Sequence, residues 1–134
     1  MRAALTEEAR RLLRIARADF AACLALIGAP DVRFANAAFH GQQAVEKALK
    51  AVLTVHCVDI GRTHNLLALA GQLAETGELL TVSDDLLSLL NPYTVALRYD
   101  DIDVELVSPQ VLREVVETVI DWAEGKVAAL SAAE

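Results

Sequence analysis

The sequence has few of the residues that mark several common protein classes. Of its 134 residues only 4% are aromatic, and there are two cysteines, three prolines and six glycines. Two cysteines cannot supply the four ligands of a zinc finger, and His40, His56 and His64 do not stand at metal-ligand spacing from them. Uncharged runs such as 63–74 and 86–97 are shorter than the roughly 18 apolar residues that cross a membrane. We therefore expect no metal site and no membrane contact.

The composition is nevertheless that of an ordered domain. Hydrophobic residues make up 54% of the chain and charged residues 23%, which excludes a disordered tail and favours a core of small aliphatic side chains. Glutamates and arginines occupy residues 2–14, where a signal peptide needs an apolar segment, so we expect a cytoplasmic protein. In that compartment Cys23 and Cys57 are expected to be reduced, buried, structural thiols.

Charge is distributed unevenly along the sequence. The first 62 residues hold nine Lys and Arg against six Asp and Glu, whereas the remaining residues hold three against thirteen. The net charge of −7 disfavours non-specific DNA binding, because a phosphate is repelled by most of the surface. The division into a basic and an acidic half predicts two faces for different partners, and it leaves open a local basic patch for RNA or phosphate.

Apolar residues recur at three- and four-residue spacing, which predicts helices, and no segment alternates with the period of a strand. Helices are expected from an N-cap at Thr6 to Gly28, from near Asp31 to about Cys57, over 64–75, over a short segment after Ser83, and after an N-cap at Ser108 with Pro109 following. A helical segment is expected to resume after Pro92. The fold class is an all-α, antiparallel up-and-down bundle of four to five helices in one domain, 1–134.

Two helix features carry further expectations. Gly41, in the interior of the second helix, predicts close approach of another backbone. Charged faces are expected to be solvated on the first helix, at Arg10, Arg14 and Arg17, with a phosphate-binding or partner-binding face as the alternative. The last helix has an acidic face that is also expected to be solvated: Glu114, Glu117, Asp121 and Glu124.

The most informative stretch is 39–53, FHGQQAVEKALKAVL. It resembles the HEPN family (higher eukaryotes and prokaryotes nucleotide-binding domains), whose members carry an F-H-x-Q-Q-A-x-E-K-x-x-K-A run. Two later elements agree in order and spacing, namely His64-Asn65-Leu66 and the Arg98-Tyr99 pair that follows Tyr93. The resemblance implies a helical bundle that forms a homodimer. It further implies a minimal nucleotidyltransferase encoded beside it, frequently as a toxin–antitoxin system.

The motif supplies the candidate interface. Donors and acceptors on adjacent turns suit a contact fixed by hydrogen bonds, and Glu46 and Lys50 stand at the i, i+4 spacing of an ion pair. Tethering within the bundle and a contact with a dimer partner or ligand are equally compatible with these residues. The candidate residues for nucleotide, partner or interface contacts are Phe39, His40, Gln42, Gln43, Glu46, Lys47, Lys50, His64, Tyr93, Arg98 and Tyr99.

The resemblance also raises the question of catalysis. Active HEPN ribonucleases carry an arginine followed by a histidine and need no metal or cofactor; Arg98 is the candidate arginine, but Asp103, Val104 and Glu105 stand where the histidine belongs. The preferred hypothesis is therefore a non-catalytic module that homodimerises and binds a minimal nucleotidyltransferase, a nucleotide, or both. One alternative is a ribonuclease toxin that combines Arg98 with a non-standard base such as Asp103, His40 or His64. Another is a structural helical adaptor.

Overall fold

The computed structural model describes residues 2–95 and 104–133. These residues form five α-helices and no strand, which confirms the predicted all-α bundle. The helices are α1 (Arg2–Leu26), α2 (Phe34–Val55), α3 (Leu66–Glu75), α4 (Asp84–Leu90) and α5 (Pro109–Ala132), with a 3₁₀ turn at Asn91–Tyr93. Within the described residues, no helix is both long and apolar enough to cross a membrane.

Helix α2 lies at the centre of the bundle. It packs against α1, α5 and α3, and 14 of its 22 residues are buried, so its sides face other elements for most of its length. Six of the buried positions are alanines, whose small side chains let helices approach closely. The buried positions also include a glutamine and a glutamate, Gln42 and Glu46.

Two helix starts follow the sequence signals. The Ser83 hydroxyl accepts a hydrogen bond from the Leu86 N–H at 3.3 Å, and the Ser108 hydroxyl accepts one from the Val111 N–H at 3.1 Å. Each serine thereby satisfies an amide that has no partner within its own helix. Pro109 then occupies the first turn of α5, as predicted.

The first two helices differ from the prediction at their ends. Helix α1 already begins at Arg2, so the expected N-cap at Thr6 is wrong; Thr6 is buried inside the helix, and its hydroxyl lies 3.4 Å from that of Ser131. Helix α2 is shorter than expected because Asp31 and Cys57 have φ angles of 62° and 60°. That left-handed conformation cannot belong to a right-handed helix. Cys57 is also exposed, against the expectation of a buried thiol.

Gly41 lies where α2 meets α5 and α1. A Cβ atom at this position would stand 2.8 Å from Cδ1 of Leu112, 3.3 Å from Cγ2 of Val116 and 3.4 Å from Sγ of Cys23. The close approach predicted from the sequence is present, but side chains rather than a second backbone make it. Burial here raises the pKa of the Cys23 thiol to about 11, as expected of an inert structural cysteine.

The charged faces of α1 and α5 meet at one junction. Arg17 donates to Glu124 at 2.6 and 3.0 Å and to Asp121 at 2.8 Å, and its hydrogen bond with Glu124 raises the pKa of the guanidinium despite partial desolvation. The acidic face of α5 is therefore not simply solvated. On α1 itself, Arg14 pairs with Glu7. Ion pairs within the chain thus neutralise part of the positive charge of the first half and part of the negative charge of the second half.

Candidate functional site

A buried carboxylate lies at the centre of the candidate site. Glu46 has no exposed side-chain surface, and its carboxylate accepts hydrogen bonds from Lys50 Nζ at 3.1 Å and from Lys47 Nζ at 3.2 Å. Both of its oxygens lie 3.1 Å from Nδ1 of His64, which belongs to the segment before α3. The predicted Glu46–Lys50 pair is therefore present, and Glu46 also connects the motif helix to His64.

The environment of Glu46 keeps it ionised near neutral pH. Burial by itself raises the pKa of a carboxyl group, but the hydrogen bond from His64 and the charges of Lys47 and Lys50 outweigh that effect and lower the pKa. An ionised carboxylate only accepts hydrogen bonds, so Nδ1 of His64 must be the donor. In the neutral imidazole this arrangement leaves Nε2 as an acceptor.

A second contact fixes the main chain at the same histidine. The Gln42 side chain is fully buried, and its Nε2 donates to the carbonyl oxygen of His64 at 3.3 Å. The neighbouring Gln43 donates to Gln42 Oε1 at 2.7 Å, which holds the buried amide in this orientation. Gln42 and Glu46 therefore tether the fold internally, as one of the two interpretations of the motif predicted.

His64 lies at the edge of an open groove with a volume of about 320 Å³. The imidazole is 60% exposed although its Nδ1 is bound to a buried carboxylate. Together with His64, the lining consists of Asn65, Asn91, Pro92, Thr94 and Val95. The groove thus joins the start of α3 to the residues that follow α4.

Asn65 and Asn91 build the floor of this groove. Helix α3 was expected to begin at His64, but Asn65 is its N-cap, and Asn65 Oδ1 accepts from the N–H groups of Leu67 and Ala68 at 2.9 and 3.3 Å. Asn91 Oδ1 accepts from the Leu66 N–H at 2.9 Å, and its Nδ2 donates to Asn65 Oδ1 at 3.1 Å. Asn91 is not among the residues predicted for the site, and its position directly before Pro92 is the one signal that the sequence offers for it.

The other motif side chains lie at the surface of α2. Phe39, His40, Gln43 and Lys47 are all partly exposed. His40 is hydrogen-bonded to Asp19 of α1 at 3.2 Å and contacts the Phe39 ring edge to face, with centroids 5.3 Å apart. The motif is therefore divided into an inner set, the buried Gln42 and Glu46, and an outer set, Phe39, His40, Gln43 and Lys47.

Tyr93 connects two segments of the described fold through its hydroxyl group. Its ring is fully buried and meets Phe34 edge to face at 5.9 Å. Its hydroxyl donates to the Val104 carbonyl at 2.7 Å and accepts from the Leu106 N–H at 2.9 Å. Tyr93 thus fastens the chain at both ends of 96–103. The candidate catalytic Arg98, Tyr99 and Asp103 fall outside the described residues.

Comparison with known proteins identifies the family. A sequence model of the HEPN domain matches residues 9–127, which is most of the chain. The chain belongs to the HEPN domain family. No curated protein and no solved structure gave a significant match.

The HEPN assignment agrees with the described helices. The matched region begins within α1 and ends within α5, so it includes the motif helix and the His64 groove. Among residues 2–95 and 104–133, no group of three or more His, Cys, Asp and Glu side chains is placed to hold a metal ion. The described residues that line the groove supply the His64 imidazole, the amides of Asn65 and Asn91 and the Thr94 hydroxyl.

Proposed function

We propose that this HEPN domain is a non-catalytic binding module that pairs with a second copy of itself and engages a minimal nucleotidyltransferase, a nucleotide, or both. The setting we propose is a two-component system of the toxin–antitoxin type in the cytoplasm. The observation that carries the proposal is the fully buried Glu46, bound to a histidine at the edge of an open groove.

The energetic cost of burying the Glu46 carboxylate supports a binding role. A buried ion pair gives little net stability, because removing two charges from water offsets most of their attraction, and apolar residues of similar volume pack equally well. Glu46 does have a positional effect, since it fixes both the tautomer and the orientation of His64. A histidine held in this way meets a ligand with little further loss of conformational freedom.

The outer set of motif residues supports the protein–protein part of the proposal. Phe39, His40, Gln43 and Lys47 follow one another along α2 and combine an aromatic ring with amide, imidazole and ammonium groups. Such a mixture is typical of protein interfaces, which pair apolar anchors with polar contacts that set the register. The side chains are already partly ordered by neighbours such as Asp19, which lowers the cost of association.

Co-expression with the product of the adjacent open reading frame tests the proposal. We expect the tagged HEPN chain to retain a small nucleotidyltransferase, and light scattering to give twice the chain mass for the isolated protein. Gln43→Arg should weaken one or both associations at least tenfold, whereas Glu117→Arg, an exposed change on α5, should leave both intact. Thermal melting of each variant checks its folding. Absence of any nucleotidyltransferase from the complex would refute the partner claim.

The alternative function as a ribonuclease is favoured by one specific observation. Nδ1 of His64 bound to a buried carboxylate, with the ring exposed, is the arrangement of a histidine general base. The groove also includes Thr94 and Val95, which precede Arg98 in the sequence. An RNA cleavage assay separates the two functions: the binding module leaves RNA intact. Cleavage that is lost in a folded Arg98→Ala variant, and in His64→Ala but not His56→Ala, would replace our proposal with the enzyme.

A further inference from the structure

We infer that the His64 groove recognises the nucleoside part of a nucleotide, its base and sugar, and leaves the phosphates outside. The inference rests on the nucleotide-binding part of the proposed function and specifies which portion of the ligand this chain holds. Four properties of the groove carry it: its filled helix N-terminus, the absence of Lys and Arg from its described lining, its remaining hydrogen-bonding groups and its apolar wall.

The helix N-terminus beside the groove cannot serve as a phosphate site. Phosphates bind helix N-termini because the first amides of a helix lack partners. In α3 these amides are already occupied: Leu66 N–H donates to Asn91, and Leu67 and Ala68 N–H both donate to Asn65. A phosphate would have to displace two asparagine side chains that start the helix.

The described residues that line the groove offer no cation to a phosphate. None of its lining residues in the described part of the chain is a lysine or an arginine, and these residues supply the strong charge-assisted bonds of most phosphate sites. The ammonium groups of Lys47 and Lys50 lie instead 3.2 and 3.1 Å from Glu46. Their charge is directed to the buried carboxylate.

The remaining polar groups match a nucleoside. Asn65 and Asn91 use their oxygens for helix α3, and one Asn91 N–H bonds Asn65, which leaves the Asn65 amide group and the second Asn91 N–H as donors. Thr94 Oγ1 is buried in the lining and has no hydrogen-bond partner among residues 2–95 and 104–133, so it is an unmet polar group that a ligand entering the lining would satisfy. In the neutral imidazole, His64 Nε2 provides an acceptor. Carbonyls and ring nitrogens of a base accept from such donors, and an amino group or ribose hydroxyl donates to the imidazole.

The wall and size of the groove suit a flat ring system. Pro92 and Val95 add apolar surface beside the imidazole, and the Val95 side chain is exposed. The volume of about 320 Å³ lies at the lower end of the range for small-molecule sites, roughly 300–1,000 Å³. A base can therefore lie against Pro92 and Val95 while the phosphates extend into solvent, where a partner protein can reach them.

Calorimetric titration of the full chain tests this division of the ligand. The probes are adenosine and guanosine, their triphosphates, and inorganic tripolyphosphate. We expect at least one nucleoside to bind with a Kd within fivefold of its triphosphate, and tripolyphosphate to give no binding heat. A triphosphate that binds more than fivefold more tightly than its nucleoside, or binding of tripolyphosphate, would overturn the inference while leaving nucleotide binding itself intact.

Variants locate the site. Val95→Asp should weaken nucleoside binding at least tenfold, because it places a charge on the apolar wall; the matched Leu79→Asp, at an exposed position that does not line the groove, should change it less than twofold. Thr94→Val should cost at least fivefold, and His64→Ala should cost more than His56→Ala. Equal effects of the two aspartate variants would contradict the location.

One outcome concerns the proposed function as well. If no nucleoside, triphosphate or tripolyphosphate binds, both the inference and the nucleotide part of the proposal are wrong, and a structural adaptor becomes the better description. The nucleotidyltransferase and homodimer parts are measured separately by co-expression and light scattering.

Discussion

The Glu46 network and the Arg17 junction both use charge to connect separate elements, but in different surroundings. Glu46 has no exposed side-chain surface, whereas Arg17 and Glu124 are each 40% exposed and Asp121 is 62% exposed. The charged groups of the exposed junction are well hydrated when they are apart, so pairing them replaces contacts with water and adds little net stability. Inside the bundle Glu46 has only its protein partners. The comparison indicates that burial, more than the number of ion pairs, sets how strongly the loss of a charged contact lowers the free energy of unfolding.

The largest expected effect comes from breaking the buried network. Glu46→Gln removes the negative charge while keeping the shape, so the Lys47 and Lys50 ammonium groups lose their partner. We expect the free energy of unfolding to fall by about 3 kcal/mol, measured by urea denaturation near neutral pH. The matched Glu124→Gln variant at the junction should fall by less than about 1 kcal/mol. Equal losses would show that burial does not separate the two regions.

Removing a neutral buried hydrogen bond should lower the unfolding free energy by an amount between those of Glu46→Gln and Glu124→Gln. Tyr93→Phe deletes the hydroxyl that bonds Val104 and Leu106, and leaves a carbonyl and an amide without their partner. We expect a loss of about 1.5 kcal/mol in unfolding free energy, with the helical circular dichroism signal preserved. A loss as large as that of Glu46→Gln would mean that leaving a charged group without its partner costs no more than leaving a neutral group without one.

The pH dependence of the unfolding free energy gives a further test of the Glu46 network. Desolvation opposes ionisation at both Glu46 and Glu78, but hydrogen bonds and nearby cations lower the pKa of each below its ordinary value of 4.5. A carboxyl group with a lowered folded-state pKa stabilises the fold above the unfolded-state pKa and loses that contribution as pH falls through the folded-state value. We therefore expect unfolding free energy to decrease below about pH 4.5. Denaturation of Glu46→Gln across this range should show a shallower slope than the parent chain; an unchanged slope would exclude Glu46 as a source.

The smallest effect is expected at the junction itself. Arg17→Gln should lower the unfolding free energy by about 0.5 kcal/mol, because the side chain is 40% exposed and its charges are screened. In 1 M salt the difference should shrink further, since the Debye length is then only about 3 Å. A loss that persists in high salt would indicate packing by the arginine stem instead of its charge.

The existence of the helices was predictable because their signals are local. Ser83, Ser108 and Pro109 mark helix starts with side chains that act within one turn. The predicted start of α3 was too early because its N-cap is Asn65, and its second capping side chain, Asn91, comes from the end of α4. Thr6 shows the reverse error, since a residue suited to capping is instead buried within α1.

The sequence named three residues that meet in the candidate site, but it did not predict their arrangement or the residues that line the groove beside them. The family pattern singled out Gln42, Glu46 and His64, yet their meeting depends on how the segment between α2 and α3 returns to α2, for which the sequence has no periodic signal. The charge division along the sequence likewise did not reveal that Arg17 meets α5. Polar spacing on a helix indicates a shared face; it does not indicate whether that face meets solvent, a partner or the same chain.

The Tyr93 hydroxyl has a consequence for how this domain tolerates change. By bonding to Val104 and Leu106 it joins the two described segments that flank 96–103. Both partners are main-chain groups, so side-chain substitutions at Val104 and Leu106 should leave these bonds in place, whereas loss of the hydroxyl at Tyr93 removes both at once.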